Sequence, residues 1–301
     1  MAVDVVGVGL AVVDLKTTVS SIPGVEETVL GFDFYKHHGG PVANSLVTLQ
    51  RLGMKTAYMG MLGNDEYGNF IADGMKTEGV DIHSLRLTDD ERTPFSIVMV
   101  DASTKKRSIV FNPGCSLTVP EDCVDTEMVK SAKLLHADFY TPAVRAACEA
   151  ARSTGVPISV DADGLYPGLE ELLQCANIFM PAREIGCELV GEDDPPKAAE
   201  KLLKKYKLDL VVVTRGKEGS VTVTPGETVS VPGFEIEPVD TTGAGGVFQG
   251  AYLYGYLHDW PAERAARFAN AAAALMCSGM NGWGDIPTLM QVEEFLRERQ
   301  E

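Results

Sequence analysis

Asp240-Thr241-Thr242-Gly243-Ala244-Gly245-Gly246-Val247-Phe248-Gln249-Gly250-Ala251 is the stretch from which the fold of this 301-residue chain is read. A glycine-rich segment running straight into the apolar pattern Phe248 to Leu257 predicts a loop that feeds the N-terminus of an amphipathic helix. Unpaired backbone N–H groups and the positive end of the helix dipole favour an anion such as a phosphate there. Glycines let the backbone come close to an oxyanion. Taken alone, the same glycines also describe an ordinary loop cap.

Outward from that turn, β-branched apolar runs alternate with helical patterns. Strands are predicted at 4–10, 56–61, 133–137, 157–161, 178–180 and 208–214, and helices at 43–52, 66–77, 142–153, 169–175, 195–206 and 262–276. This alternation implies right-handed β-α-β crossovers and a mostly parallel sheet, with ligands beyond the carboxyl ends of its strands. Asp14, Asp161, Asp163 and Thr214 each follow a candidate strand and would gather there. Two segments interrupt the pattern, 16–36 and 93–111. The second reads as a β-hairpin, Phe95 to Val100 against Ser108 to Phe111 across the polar turn 101–106. No internal repeat or low-complexity linker is visible, so a single α/β domain over 1–301 is expected.

Composition narrows the function classes. Apolar content of 45% with 23% charged residues describes a globular protein, and a net charge of −17 argues against nucleic acid and anionic membrane as partners. The six cysteines, Cys115, Cys123, Cys148, Cys175, Cys187 and Cys277, form no Cys-x-x-Cys pair and no zinc spacing; they read as reduced thiols of a cytoplasmic protein. No basic leader precedes the apolar start, and no uncharged apolar run is long enough to span a bilayer.

Residues 240–251 resemble the C-terminal signature of the ribokinase/PfkB-like carbohydrate kinases, Asp-Thr-Thr-Gly-Ala-Gly-Asp-x-Phe-x-Gly-Ala, at every specified position except 246. Other motifs follow in order. Gly7-Val8-Gly9 through Asp14 is similar to the family's first strand and sugar-binding Asp, and His38-Gly39-Gly40-Pro41-Val42-Ala43-Asn44 to its Gly-Gly-x-x-x-Asn. Gly60 through Gly68 resembles its Gly-x-x-Gly-x-Asp-x-x-Gly, and Thr214-Arg215-Gly216-Lys217-Glu218-Gly219 its Thr-x-Gly-x-x-Gly. Several ordered motifs weigh more than one.

The resemblance implies a ribokinase-like three-layer α/β/α domain with a mostly parallel central sheet. It also implies a small β lid inserted from about 16–36 and 93–111, which would exclude water during phosphoryl transfer and serve a homodimer. It implies ATP with Mg²⁺ as phosphoryl donor, a monovalent cation such as K⁺, and a small sugar or polyol as acceptor; relatives handle ribose, fructose and its phosphates, ketodeoxygluconate, inositols and nucleosides. Asp14, Gly39, Gly40 and Asn44 would hold the acceptor, although Asp14 also reads as a turn cap and Asn44 as a first-turn helix residue. Arg107 reads equally as an acceptor contact and a solvated edge-strand charge. Thr214, Gly216 and Gly219 would border the nucleotide, with Asn270 near the base, and Gly243, Ala244 and Gly245 would form the anion hole. Asp240 would contribute to a monovalent cation site. His37, His38, His136 and His258 show no metal spacing and read as structural.

Two positions depart from the family. Gly246 stands where the family's general base, an Asp, takes the proton from the acceptor hydroxyl. Where members carry Asn-x-x-Glu, this chain has Ala182 and Ile185, with Glu184 as a carboxylate one residue away for the metal. Removing a general base costs about 10²–10⁴ in rate, while positioning and charge stabilisation survive it. Three readings follow: a carbohydrate kinase strongly impaired at its base, a sugar- or nucleotide-binding pseudokinase, and a kinase that uses another acid.

Overall fold

A computed structural model describes residues 3–104 and 106–299. In chain order the strands are β1 (Val5–Val8), β2 (Val12–Val19), β3 (Tyr35–Gly39), β4 (Thr56–Gly63), β5 (Leu85–Thr88), β6 (Phe95–Asp101), β7 (Arg107–Asn112), β8 (Leu134–Ala137), β9 (Ile158–Val160), β10 (Ile178–Phe179), β11 (Leu210–Thr214), β12 (Ser220–Thr224) and β13 (Glu227–Val231). The helices are α1 (Pro41–Arg51), α2 (Glu66–Thr77), α3 (Thr126–Ser131), α4 (Pro142–Thr154), α5 (Leu169–Leu173), α6 (Arg183–Val190), α7 (Pro195–Tyr206), α8 (Ala244–Leu257), α9 (Ala262–Met276) and α10 (Leu289–Glu298).

Nine strands form the large sheet in the order β13-β12-β11-β10-β9-β8-β1-β4-β5. Its pairs are parallel from β11 to β5, and the β12–β13 hairpin closes one edge antiparallel. The apolar runs of β1, β8, β9 and β11 are buried because helices cover both faces. One core lies under α1, α2, α8, α9 and α10 and the other under α3 to α7. This is the three-layer ribokinase-like arrangement expected from the sequence. The β12–β13 hairpin, β5, α6 and α10 were not anticipated.

The lid is a separate four-stranded sheet, β3-β2-β6-β7. The expected hairpin is present as β6 and β7, with Val98 opposite Ile109; Lys105 of its turn lies outside the described residues. Two sequence expectations are corrected. Asp14 does not follow a strand of the main sheet; it sits inside β2, the first lid strand, opposite His37 and Ser96. And α8 is not amphipathic: it begins at Ala244 rather than Phe248 and is buried from Gly246 to Gly255, between α1 and α9.

The Gly60–Gly68 motif serves the lid junction. Asp65 caps α2 by accepting from Gly68 N at 2.9 Å and also accepts from Thr93 N at 3.0 Å and Thr93 Oγ1 at 2.7 Å, which fixes the chain as it enters β6.

Candidate active site

Residues at i and i+2 of a strand share a face, so Asp14 and Lys16 of β2 point together into the cleft between lid and main sheet, with Ser96 and Val98 of β6 and Arg107, Ile109 and Phe111 of β7 on the same side. Ser96 donates its hydroxyl to the Asp14 carboxylate. Burial pushes the Asp14 carboxyl above its ordinary range; the Ser96 hydroxyl opposes this, and the negative charges of Asp240 and Asp163 add to it.

Gly39 ends β3 where the Asp14 carboxylate occupies the space of a Cβ. Gly40 then turns the chain into α1 with φ 102°, its Cα against the Leu10 carbonyl, a conformation and a clearance that only glycine allows. Asn44, one turn into α1, is buried. Its Oδ1 accepts from Trp283 Nε1 at 2.7 Å, and its Nδ2 lies beside Gly243. His38 stacks between Phe70 and Trp283, ring centroids 3.9 and 4.3 Å away, and so holds the indole that orients Asn44.

The glycine turn closes the other side. Its entrance is fixed by Val239 N donating to Cys277 O at 2.8 Å. Gly243 caps α8 in the left-handed conformation, φ 82°, and no side chain caps the first-turn amides of Ala244, Gly245 and Gly246. Of these amides, Ala244 N makes a long contact to Thr241 O at 3.4 Å.

Two side chains bridge lid and turn. Arg107 Nη1 donates to Thr241 Oγ1 at 2.9 Å while the side chain stays exposed. Lys16 Nζ lies 2.5 Å from Asp240 Oδ2, with side chains only 4% and 10% exposed. Asp240 Oδ1 accepts from Thr242 N at 2.9 Å. Burial alone would raise the Asp240 carboxyl, but Lys16 and Thr242 outweigh it and hold it below its ordinary value.

Gly246 is one of two glycines, with Gly250, at which α8 packs tightly on α1. A Cβ built at Gly246 would meet Asn44 Cβ at 2.7 Å and Pro41 O at 2.9 Å, and Ser45 Oγ donates to the Gly246 carbonyl at 2.9 Å. One turn on, a Cβ at Gly250 would meet Ser45 O at 2.6 Å. Position 246, where the resemblance implies a base, is a helix–helix contact in this chain.

Among the residues expected near the nucleotide, Thr214 ends β11 and pairs with the backbone of Ala182 ahead of α6. Gly216 and Gly219 bound the short turn between β11 and β12. Glu184 is exposed in the first turn of α6. Asn270 is buried in α9, its Nδ2 donating to the carbonyls of Val231 and Pro232 at 3.4 and 3.2 Å, which places it against the end of β13.

The sequence reading missed Asp138, which follows β8 and accepts from Leu10 N through Oδ1 at 2.8 Å while Oδ2 is buried without a partner. Burial pushes its carboxyl up to about 8. It fills the space a side chain at Gly9 would need. Its place right after the 133–137 strand was the available signal. Lys16 was missed as well, since nothing local to it marks the distant Asp240 as its partner. Asp161, also buried, has an unpartnered Oδ2 and a carboxyl raised by burial and by Asp163.

Residues 3–289 match the pfkB family carbohydrate kinases. The chain belongs to that family. It is 30% identical over 295 residues to a ribokinase of Bacillus subtilis, covering 96% of this chain and 98% of that protein. To a 5-dehydro-2-deoxygluconokinase of Clostridium perfringens it is 25% identical over 321 residues, covering 99% and 94%. The structure of Arabidopsis thaliana ribokinase complexed with ribose and ATP superposes with a TM-score of 0.86 at 26% identity, covering 99% of each chain. In this pfkB member the lid strands and the 240–246 turn are joined by the Arg107–Thr241 and Lys16–Asp240 contacts. No described helix is long and apolar enough to cross a membrane.

Proposed function

We propose that this chain binds a sugar or polyol together with Mg-ATP and transfers the γ-phosphoryl group slowly, as a carbohydrate kinase without its general base. The observation that carries the reading is the packing at Gly246: donors for an anion stand at Gly243 to Gly246, acceptor ligands stand opposite, and the base position holds only a contact with Asn44 and Pro41. Asp14, the Gly39-Gly40 backbone, Asn44 and Arg107 hold the acceptor. Thr214, Gly216 and Gly219 border the nucleotide, and Asn270 acts there through the backbone it braces. Gly243, Ala244 and Gly245 stabilise charge on the transferring group without needing a side chain.

No group of three or more His, Cys, Asp or Glu able to hold a metal is assembled among the described residues. Glu184, exposed in the first turn of α6, would help hold Mg²⁺ brought in by the nucleotide. The ion's chemistry is to neutralise phosphate charge. The relatives named above favour a pentose- or hexose-derived acceptor. A second copy is proposed to cover the outer lid face, where Ile97 and its cross-strand partner Val110 are exposed, and the reduced thiols suit a cytoplasmic setting.

The closed space at Gly246 also favours a second reading, ligand binding without transfer. ADP release and isothermal binding, measured on wild type and Gly246→Asp against a panel of sugars and polyols, separate the two. The kinase reading expects the Asp variant to turn over one panel member about 10²–10⁴ faster. Binding by both proteins with turnover by neither leaves the binding module.

A further inference from the structure

The family resemblance implies a monovalent cation at Asp240, and the residues present do not fit one. Both carboxylate oxygens are engaged, Oδ2 by the Lys16 ammonium at 2.5 Å and Oδ1 by the Thr242 amide at 2.9 Å. A second cation at the same carboxylate would share it with a buried, immobile positive charge and would displace the ammonium from its only acidic partner among the described residues. The ion pair is nearly buried on both sides, so neither partner is free to swing into solvent without breaking lid-to-turn packing.

We infer that Lys16 is a built-in monovalent cation, a positioning residue whose ammonium does at Asp240 what a dissociable K⁺ would otherwise do. The charge is carried on β2 two residues from Asp14, so the strand that holds the acceptor also holds the anion turn in register. Occupancy is then fixed by covalent connection, and the turn is insensitive to the identity and concentration of alkali ions. The inference rests on the reading of 240–246 as the anion turn.

The test compares unfolding temperatures in KCl and in tetramethylammonium chloride at equal ionic strength, for nucleotide-free wild type, Lys16→Met and Lys16→Arg. Wild type and Lys16→Arg are expected to unfold at the same temperature in both salts, while Lys16→Met is stabilised by potassium by about 2–6 °C. A saturable potassium stabilisation of wild type, or equal behaviour of Lys16→Met in both salts, overturns the inference. Should Lys16→Met not fold, the wild-type amide spectrum decides: potassium leaves Val239 to Gly243 unshifted, and saturable shifts there overturn the inference. Neither readout needs nucleotide, so a failure to bind Mg-ATP would count against the kinase reading alone.

Discussion

The two ends of the 240–246 turn have fared differently. At its start a carboxylate is kept and given a permanent partner, Lys16 on the lid. At its end stands Gly246, without a side chain and packed against Asn44 and Pro41 of α1. The contrast teaches that the two ends of one turn are held by different physics: the entrance by a buried ion pair to the lid strand β2, the exit by close helix–helix packing that only a residue without a side chain allows.

The sharpest way to break the comparison is at the entrance. Lys16→Met strands a buried Asp240 and is expected to cost about 3–5 kcal/mol in urea unfolding, with Asp240→Asn and the double variant non-additive with it. Additive effects would mean the two groups do not act as a pair. At the exit, Gly246→Ala forces α8 from α1 and is expected to cost about 1–3 kcal/mol. Gly245→Ala, where a Cβ meets nothing within 4 Å, is the control and should be neutral or stabilising by up to about 1 kcal/mol. Equal losses at both glycines would remove the packing account of Gly246.

Titration sharpens the same contrast. Asp240 has a depressed pKa when folded, so its stabilisation is present above the unfolded value near 3.8 and fades as pH falls through that value and below. Asp138 has the opposite sign. Its folded value of about 8 lies above the unfolded 3.8, so the native state holds the extra proton and stability declines as pH rises from about 4 to 8. Unfolding followed across that window should slope downward for wild type and run flatter for Asp138→Asn; parallel curves would show that Asp138 is ionised in the fold. The smallest effect is expected at Arg107→Ala. This exposed tether should change stability by no more than about 1 kcal/mol, with the loss appearing in acceptor affinity; a larger stability change would make Arg107 a structural clamp.

Much of the main sheet was legible because its strands are buried on both faces and its helices carry clear boundaries; α2, α7 and α9 run over the residues their patterns marked. The anion turn was legible through its glycines. What sequence did not show are relations between distant positions. Lys16 reads as a surface lysine until β2 brings it to Asp240, Trp283 reads as a core aromatic until its Nε1 meets Asn44, and the uniform burial of α8 is set by neighbours on both sides. Gly246 was visible as an absence, but that the gap is closed by α1 depends on helix separation, which no local pattern encodes.

The His38–Trp283–Asn44 chain also gives the proposed acceptor site an optical readout. The protein has two tryptophans, and one of them donates its indole proton to an acceptor-side residue while stacked on an imidazole. Any ligand that draws the Asn44 amide away changes the polarity at that indole, so the emission of Trp283, isolated by Trp260→Phe, reports occupancy directly, with no label and no turnover.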